Sequence, residues 1–158
     1  MAKAELFRVI ARAIIMTPDR RVVLVTSQSG AALVLPGGAV DRGESLPQAA
    51  MREAKEECGL DVTVERAIWV REFHDPKHGH ANLEVYFTAR PAAGVTLPDR
   101  WQRPDGGKSG LTRQAGLYSR EDLQVIPTTV YPVELRHAFW IGLEMGFVDA
   151  YLGSFWGD

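Results

Sequence analysis

Short apolar, β-branched runs separated by polar breaks mark the first third of the chain. Val9–Met16 is one run, interrupted by Arg12, and Val22-Val23-Leu24-Val25 is the heart of a second, Arg21–Gln28. Thr17-Pro18-Asp19-Arg20 between them has turn chemistry, because Pro presets φ and Asp bonds its local backbone. The two runs are therefore predicted to pair as a hairpin. Ser29-Gly30 turns the chain again, and Ala32–Leu35 predicts a third strand stopped by Pro36. An irregular loop is expected from Pro36 to Glu44. Ser45 is a good N-cap, Pro47 suits a first helical turn and Gly59 suits the position past a helix end, so a helix is predicted to Cys58. Val62–Phe73 and Leu83–Arg90 read as strands flanking a polar loop, His74–His80. The stretch 91–116, dense in Gly and Pro, reads as a long connection. Leu117–Ser119 predicts a last short strand, and Pro132 opens a final helix expected to reach about Leu152. Strands, helix, strands, helix in that order predict a mixed α/β architecture.

Composition narrows this further. The chain has 158 residues, the size of one domain, so a single domain over 1–158 is expected. A hydrophobic share of 46% and a charged share of 24% argue against a disordered or fibrous chain. No apolar run approaches the ~18 residues of a membrane-spanning helix. A net charge of −2 offers no overall basic excess for nucleic acid, so no nucleic-acid partner is expected. Cys58 is the single cysteine, which excludes an internal disulfide. The run Val9–Met16 is cut by Arg12 and does not read as a signal peptide, so a cytoplasmic location is expected.

The predicted helix carries the chemistry. At ~100° per residue, Glu53, Glu56 and Glu57 share one arc, and Pro47, Met51, Ala54 and Cys58 form an apolar stripe beside it. Like charges so close repel, and partial burial increases the penalty. A hard divalent cation would remove it, since Mg²⁺ takes carboxylate oxygens. Helix geometry alone leaves a second reading open, a solvated acidic face paired with Arg52 and Lys55.

The residues ahead of the helix favour the metal. Gly37-Gly38 lets a ligand approach the backbone closely. Gly38, five residues, Glu44, seven residues, Arg52-Glu53-Ala54, one residue, Glu56-Glu57, one residue and Gly59-Leu60 together resemble the Nudix box, with each fixed position filled. The resemblance implies the Nudix fold, an α/β/α sandwich with a mixed β-sheet. It also implies hydrolysis of a diphosphate linked to another moiety, a small-molecule and usually nucleotide-type substrate, with Mg²⁺ or Mn²⁺. On the matching positions it implies Glu53, Glu56 and Glu57 as metal ligands, joined by the carbonyl of Gly37 or Gly38. Arg52 is implied to pair with Glu44 and orient the cluster. A non-catalytic Nudix-fold nucleotide sensor or interaction module is the alternative, disfavoured by the intact box.

Several relatives place a catalytic carboxylate just before a late aromatic-aromatic-Ser strand. The matching stretch, Leu117-Tyr118-Ser119, is preceded over 109–116 by no Asp or Glu. Water activation is therefore expected to rest on Glu53 or Glu56, with Glu84 and Asp105 as weaker substitutes. Glu84 is otherwise a solvent-facing strand residue, and Asp105 a turn former. Trp101 and Arg103 are candidate substrate contacts, by stacking and phosphate binding, or else an anchor for the loop. His74, Asp75, His78 and His80 read as a solvated turn rather than a metal cluster, and Cys58 as a small core residue. Gly142 and Gly146 leave a shallow patch for a homodimer contact, which a close contact within the chain explains equally.

Overall fold

The computed structural model describes residues 6–103 and 114–156. β1 (Phe7–Ile15), β2 (Val22–Thr26), β3 (Ala32–Val34) and β4 (Gly37–Ala39) precede α1 (Leu46–Cys58). β5 (Val62–Asp75), β6 (His80–Pro91), β7 (Arg100–Gln102) and β8 (Gln114–Tyr118) follow, then α2 (Arg120–Val125), β9 (Thr129–Tyr131), a 3₁₀ turn (Val133–Arg136), α3 (Ala138–Met145) and β10 (Tyr151–Trp156). The strands form two mixed sheets, ordered β10-β5-β6-β1-β4 and β7-β8-β2-β3-β9. No helix among the described residues is long and apolar enough to cross a membrane.

Strand alternation explains the layering. Ala11, Ala13 and Ile15 of β1 pack with Ala49, Ala50, Ala54 and Cys58 of α1. Ile14 points the other way, to Trp69, Tyr86, Leu135, Phe139 and Trp140. β2 divides likewise, with Val23 and Val25 facing α1 and Val22 and Leu24 facing the second core. Both sheets thus supply a middle layer covered by α1 on one face and by α2, the 3₁₀ turn and α3 on the other, the expected α/β/α arrangement.

Several expectations are corrected. β1 and β2 do not form a hairpin: they join different sheets, with a single bridge from Met16 to Val22. Residues Val22–Val25 are wholly buried, so β2 is an interior strand whose edges are taken by β3 and β8. Gly37–Ala39 is a strand, not an irregular loop, and pairs with Ile10–Arg12. The polar loop shrinks to a tight connection, since β5 reaches Asp75 and β6 begins at His80. His74 there is 7% exposed and stacks on Trp156, ring centroids 4.0 Å apart, while the exposed His78 pairs with Asp75 at 2.7 Å.

The C-terminal helix is the largest correction. It stops at Met145, where Gly146 takes φ +95°, and the chain returns as β10, parallel to β5 with Phe155 stacked on Phe73. Gly142 is filled from within the chain, because a Cβ there would stand 2.2 Å from the Phe147 ring. The stretch 91–116 contains β7 and most of β8, and Ser119 leaves the predicted strand to cap α2.

Candidate active site

α1 begins and ends as its residues dictate. The Ser45 hydroxyl accepts from the Gln48 N–H while the Gln48 side chain accepts from the Ser45 N–H, a reciprocal cap. Gly59 takes φ +71° and donates its N–H to the Lys55 carbonyl. The buried face differs from the predicted stripe. Met51 is 45% exposed and Pro47 is exposed, whereas Ala49, Ala50, Ala54 and Cys58 are buried. Three alanines let the helix approach β1 and β4 closely. At ~100° per residue, Glu53 and Glu57 fall inside the arc those residues define. The carboxylates therefore point at the sheet rather than along its margin; the Arg52 pairing of the solvated-face reading is present, but Lys55 pairs with Asp61 instead and Glu53 is largely shielded from solvent. The Glu53 side chain is 14% exposed.

Two glycines on β4 receive them. A Cβ on Gly38 would stand 2.4 Å from Glu53 Oε1, so this carboxylate lies against bare backbone. The Gly37 N–H donates to Glu57 Oε2 at 3.0 Å. A Cβ on Gly37 would meet the Ala11 carbonyl at 2.4 Å, which is why β4 can pair tightly with β1.

Arg52 binds the cluster together. Its Nε donates to Glu44 Oε1 at 2.8 Å and one terminal nitrogen to Glu44 Oε2 at 3.1 Å, a bidentate pair. The other terminal nitrogen reaches Glu53 Oε1 at 2.8 Å and Glu56 Oε2 at 3.3 Å. The Ala39 carbonyl accepts at 2.9 Å, tying the guanidinium to β4. The hydrogen bonds to Glu44 raise the Arg52 pKa above its ordinary value, so it stays charged. Glu44 also accepts from the Asp41 N–H at 3.0 Å. The pairing expected of Arg52 and Glu44 is thus present in the geometry.

As they stand, no three His, Cys, Asp or Glu side chains among the described residues are grouped to hold a metal ion. Arg52 takes oxygens of Glu53 and Glu56, and Glu57 faces Gly37. The donor set nonetheless suits a hard cation. It is all oxygen and half-buried, and Glu44, Glu53 and Glu56 already exceed the single guanidinium in charge.

The structure relocates Glu84. It is not solvent-facing but 3% exposed on β6. Its Oε2 accepts from the hydroxyls of Tyr86 at 2.5 Å and Tyr131 at 3.3 Å, and its Oε1 pairs with Arg12 at 3.3 Å. Burial pushes both phenols above the usual tyrosine range, helped by the neighbouring Glu84 charge. Burial opposes the Arg12 charge, and Glu84, Tyr86 and Glu57 more than restore it. In the sequence Arg12 stands as a break in an apolar run with no partner assigned to it. A charged residue inside a buried strand demands one, and that was the available signal.

Trp101 is half-buried and donates its indole N–H to the Cys58 carbonyl at 2.9 Å, capping the end of α1 and anchoring the loop. Arg103 is half-buried at the margin of the described residues, and Asp105 lies outside them. A hollow of about 860 Å³, lined by Ile14, Met16, Arg66, Phe139 and Phe147, includes none of the box residues.

Comparison with known proteins bears on the family and the fold. A family model described as the NUDIX domain matches residues 6–138. A NUDIX hydrolase from Nitrosomonas europaea is similar in fold, with a TM-score of 0.69 and 17% identity over 98% of this chain and 82% of that one. An ADP-ribose pyrophosphatase from Streptococcus suis gives 0.59 and 24% over 95% and 99%. A MutT NUDIX hydrolase from Burkholderia pseudomallei gives 0.55 and 27% over 89% and 98%. Curated protein sequences give no match.

Proposed function

Because this chain belongs to the Nudix family, hydrolases acting on phosphorus-containing anhydrides, we propose that it cleaves, with Mg²⁺ or Mn²⁺, the diphosphate linkage of a nucleotide-type substrate. Nucleoside triphosphates, nucleotide sugars and dinucleoside polyphosphates are the substrate types in this class, and the whole of 1–158 acts as one catalytic domain.

The observation that carries the reading is the seating of Glu53 and Glu57 against the glycines of β4. Carboxylates placed on bare backbone in a half-buried cluster of excess negative charge suit a hard cation, which supports the reading. Glu53, Glu56 and Glu57, with the Gly38 carbonyl, would hold the ion. When bound, the ion supplies charge neutralisation for the diphosphate and lowers the pKa of an attacking water. Glu53 or Glu56 would accept the proton of the attacking water, since no acid occupies 109–116. Arg52, clamped by Glu44 and the Ala39 carbonyl, sets the spacing of Glu53 and Glu56. With its indole N–H engaged at the α1 terminus, Trp101 serves as an anchor.

The test is turnover of a panel of nucleoside triphosphates, nucleotide sugars and dinucleoside polyphosphates with Mg²⁺, read as phosphate or nucleotide release. Activity is expected on at least one and is expected to vanish with excess chelator. Full activity in chelator would overturn the metal assignment, and no turnover across the panel would favour a binding role.

A further inference from the structure

A second arginine stands behind the cluster. Arg12 lies opposite Gly37 in the β1–β4 pairing, and its Cδ would be 2.8 Å from a Cβ on that glycine. One terminal nitrogen donates to the Leu35 carbonyl at 3.1 Å and the other to Glu84 Oε1 at 3.3 Å. The Pro36 carbonyl accepts from the Ala13 N–H at 2.9 Å, so Leu35, Pro36 and Gly37 are held along one side of β1. Gly37 in turn holds Glu57. At the other end Glu84 is fixed by the Tyr86 and Tyr131 hydroxyls. The chain of contacts runs from two tyrosines through Glu84, Arg12 and the β4 backbone to a box carboxylate.

We propose that Arg12, anchored by Glu84, is a positioning residue for Glu57. It fixes the Leu35–Gly37 backbone so that the Gly37 N–H meets one Glu57 oxygen and sets where that carboxylate lies in the cluster. The proposal rests on the reading of the box as the metal site. Arg12 touches neither substrate nor metal in this role. Its planar fork matters because it spans a carbonyl and a carboxylate together, which a lysine amine does far less well.

Four variants of the full chain test it: Arg12→Met, Glu84→Gln, the double R12M/E84Q, and Glu57→Gln as a control. Each is measured for kcat and KM on the best substrate of the panel, for melting temperature, and for Mn²⁺ affinity of the metal-free protein from loss of the free-ion resonance signal. Arg12→Met is expected to lower kcat and Mn²⁺ affinity by about 10–100-fold, the usual cost of removing a partner that orients a ligand, with KM nearly unchanged. It also leaves the Glu84 charge buried alone, so melting falls. Glu84→Gln keeps an acceptor for the guanidinium and is expected to cost a few-fold. The double variant removes both charges and keeps an acceptor for the tyrosines. It is expected to regain much of the melting temperature while kcat and Mn²⁺ affinity stay low. Recovery of activity together with stability would overturn the proposal, leaving the pair merely structural. Wild-type kcat and Mn²⁺ affinity in Arg12→Met would also overturn it. An unaffected Glu57→Gln would instead bring down the metal-site reading, and this proposal with it.

Discussion

Two arginines organise two charged clusters that meet at β4, and they are built on opposite principles. Arg52 is surrounded by more negative charge than it carries: Asp41, Glu44, Glu53 and Glu56 lie within salt-bridge distance. Its cluster is half-buried and carries excess negative charge. Among the described residues Arg12 hydrogen-bonds a single carboxylate, Glu84, whose side chain is 5% exposed and whose other oxygen is held by two phenols, while the charge of Glu57 in the neighbouring cluster also acts on it. That cluster is balanced in charge and closed. An unbalanced cluster answers to added cation. A balanced one holds its shape and answers only when one of its own members is removed or titrated. The first is suited to chemistry, the second to support.

The sharpest way to break the comparison is Glu57→Gln. The change removes the charge of a proposed metal ligand and leaves the helix intact, so kcat is expected to fall roughly a hundredfold or more with an unchanged circular dichroism spectrum. A small effect on turnover would place the reacting centre away from α1.

Arg52→Met probes the unbalanced side next. It leaves Glu44, Glu53 and Glu56 crowded without their shared cation. The metal-free protein is expected to lose about 2 kcal/mol, a value discounted for the partial exposure of the pairs, in chemical denaturation. Turnover is expected to drop by about 10–100-fold, and saturating Mg²⁺ to recover part of the lost stability. An unchanged denaturation midpoint would mean that the four carboxylates do not depend on Arg52.

Metal linkage separates the clusters directly. At a concentration of Mg²⁺ a hundred times its Kd, the wild type is expected to gain about 2.7 kcal/mol, and Glu57→Gln clearly less, by calorimetry. Equal gains in the two proteins would detach the box carboxylates from the ion.

The smallest expected effect lies at high pH on the balanced side. Burial raises the pKa of Tyr86 and Tyr131, so folding favours their protonated forms. The stability this contributes is fully present below the unfolded tyrosine value of about 10 and is lost as pH rises above it toward the raised folded values. Thermal melts are expected to decline from about pH 10 upward, less steeply in Tyr131→Phe. An identical alkaline decline in that variant would show that other groups control it.

The two clusters also differ in how far they were legible in the chain. Arg52 finds its partners at Glu44, Glu53 and Glu56, all within eight residues, so helix geometry and a matching box were enough to foresee them. Arg12 finds Glu84 across 72 residues. Nothing local joins these two, and Glu84 read as an exposed strand residue because alternation marks two faces without saying that both are covered. The same limit applies to the pairing of β1 and β2. β1 and β2 are both strongly apolar, but which strands become neighbours depends on the whole sheet. The C-terminal helix failed for a related reason. Aromatic residues from Phe139 to Trp156 suit helix or strand, and Gly146 with the open edge of β5 decided for β10.

By itself the sequence determined the α1 helix with its Ser45 and Gly59 ends, the acidic box and its Arg52 clamp, and the mixed α/β class. Each rests on contacts a few residues apart, where backbone geometry leaves little choice. Tertiary structure alone decided that Glu53 and Glu57 face the sheet, that Gly38 lies against a carboxylate, and that a buried Arg12–Glu84 pair stands behind Gly37. Those outcomes depend on which strands lie side by side and on which faces are buried. They arise when apolar surfaces distant in the chain pack together and charged residues caught between them must find a partner.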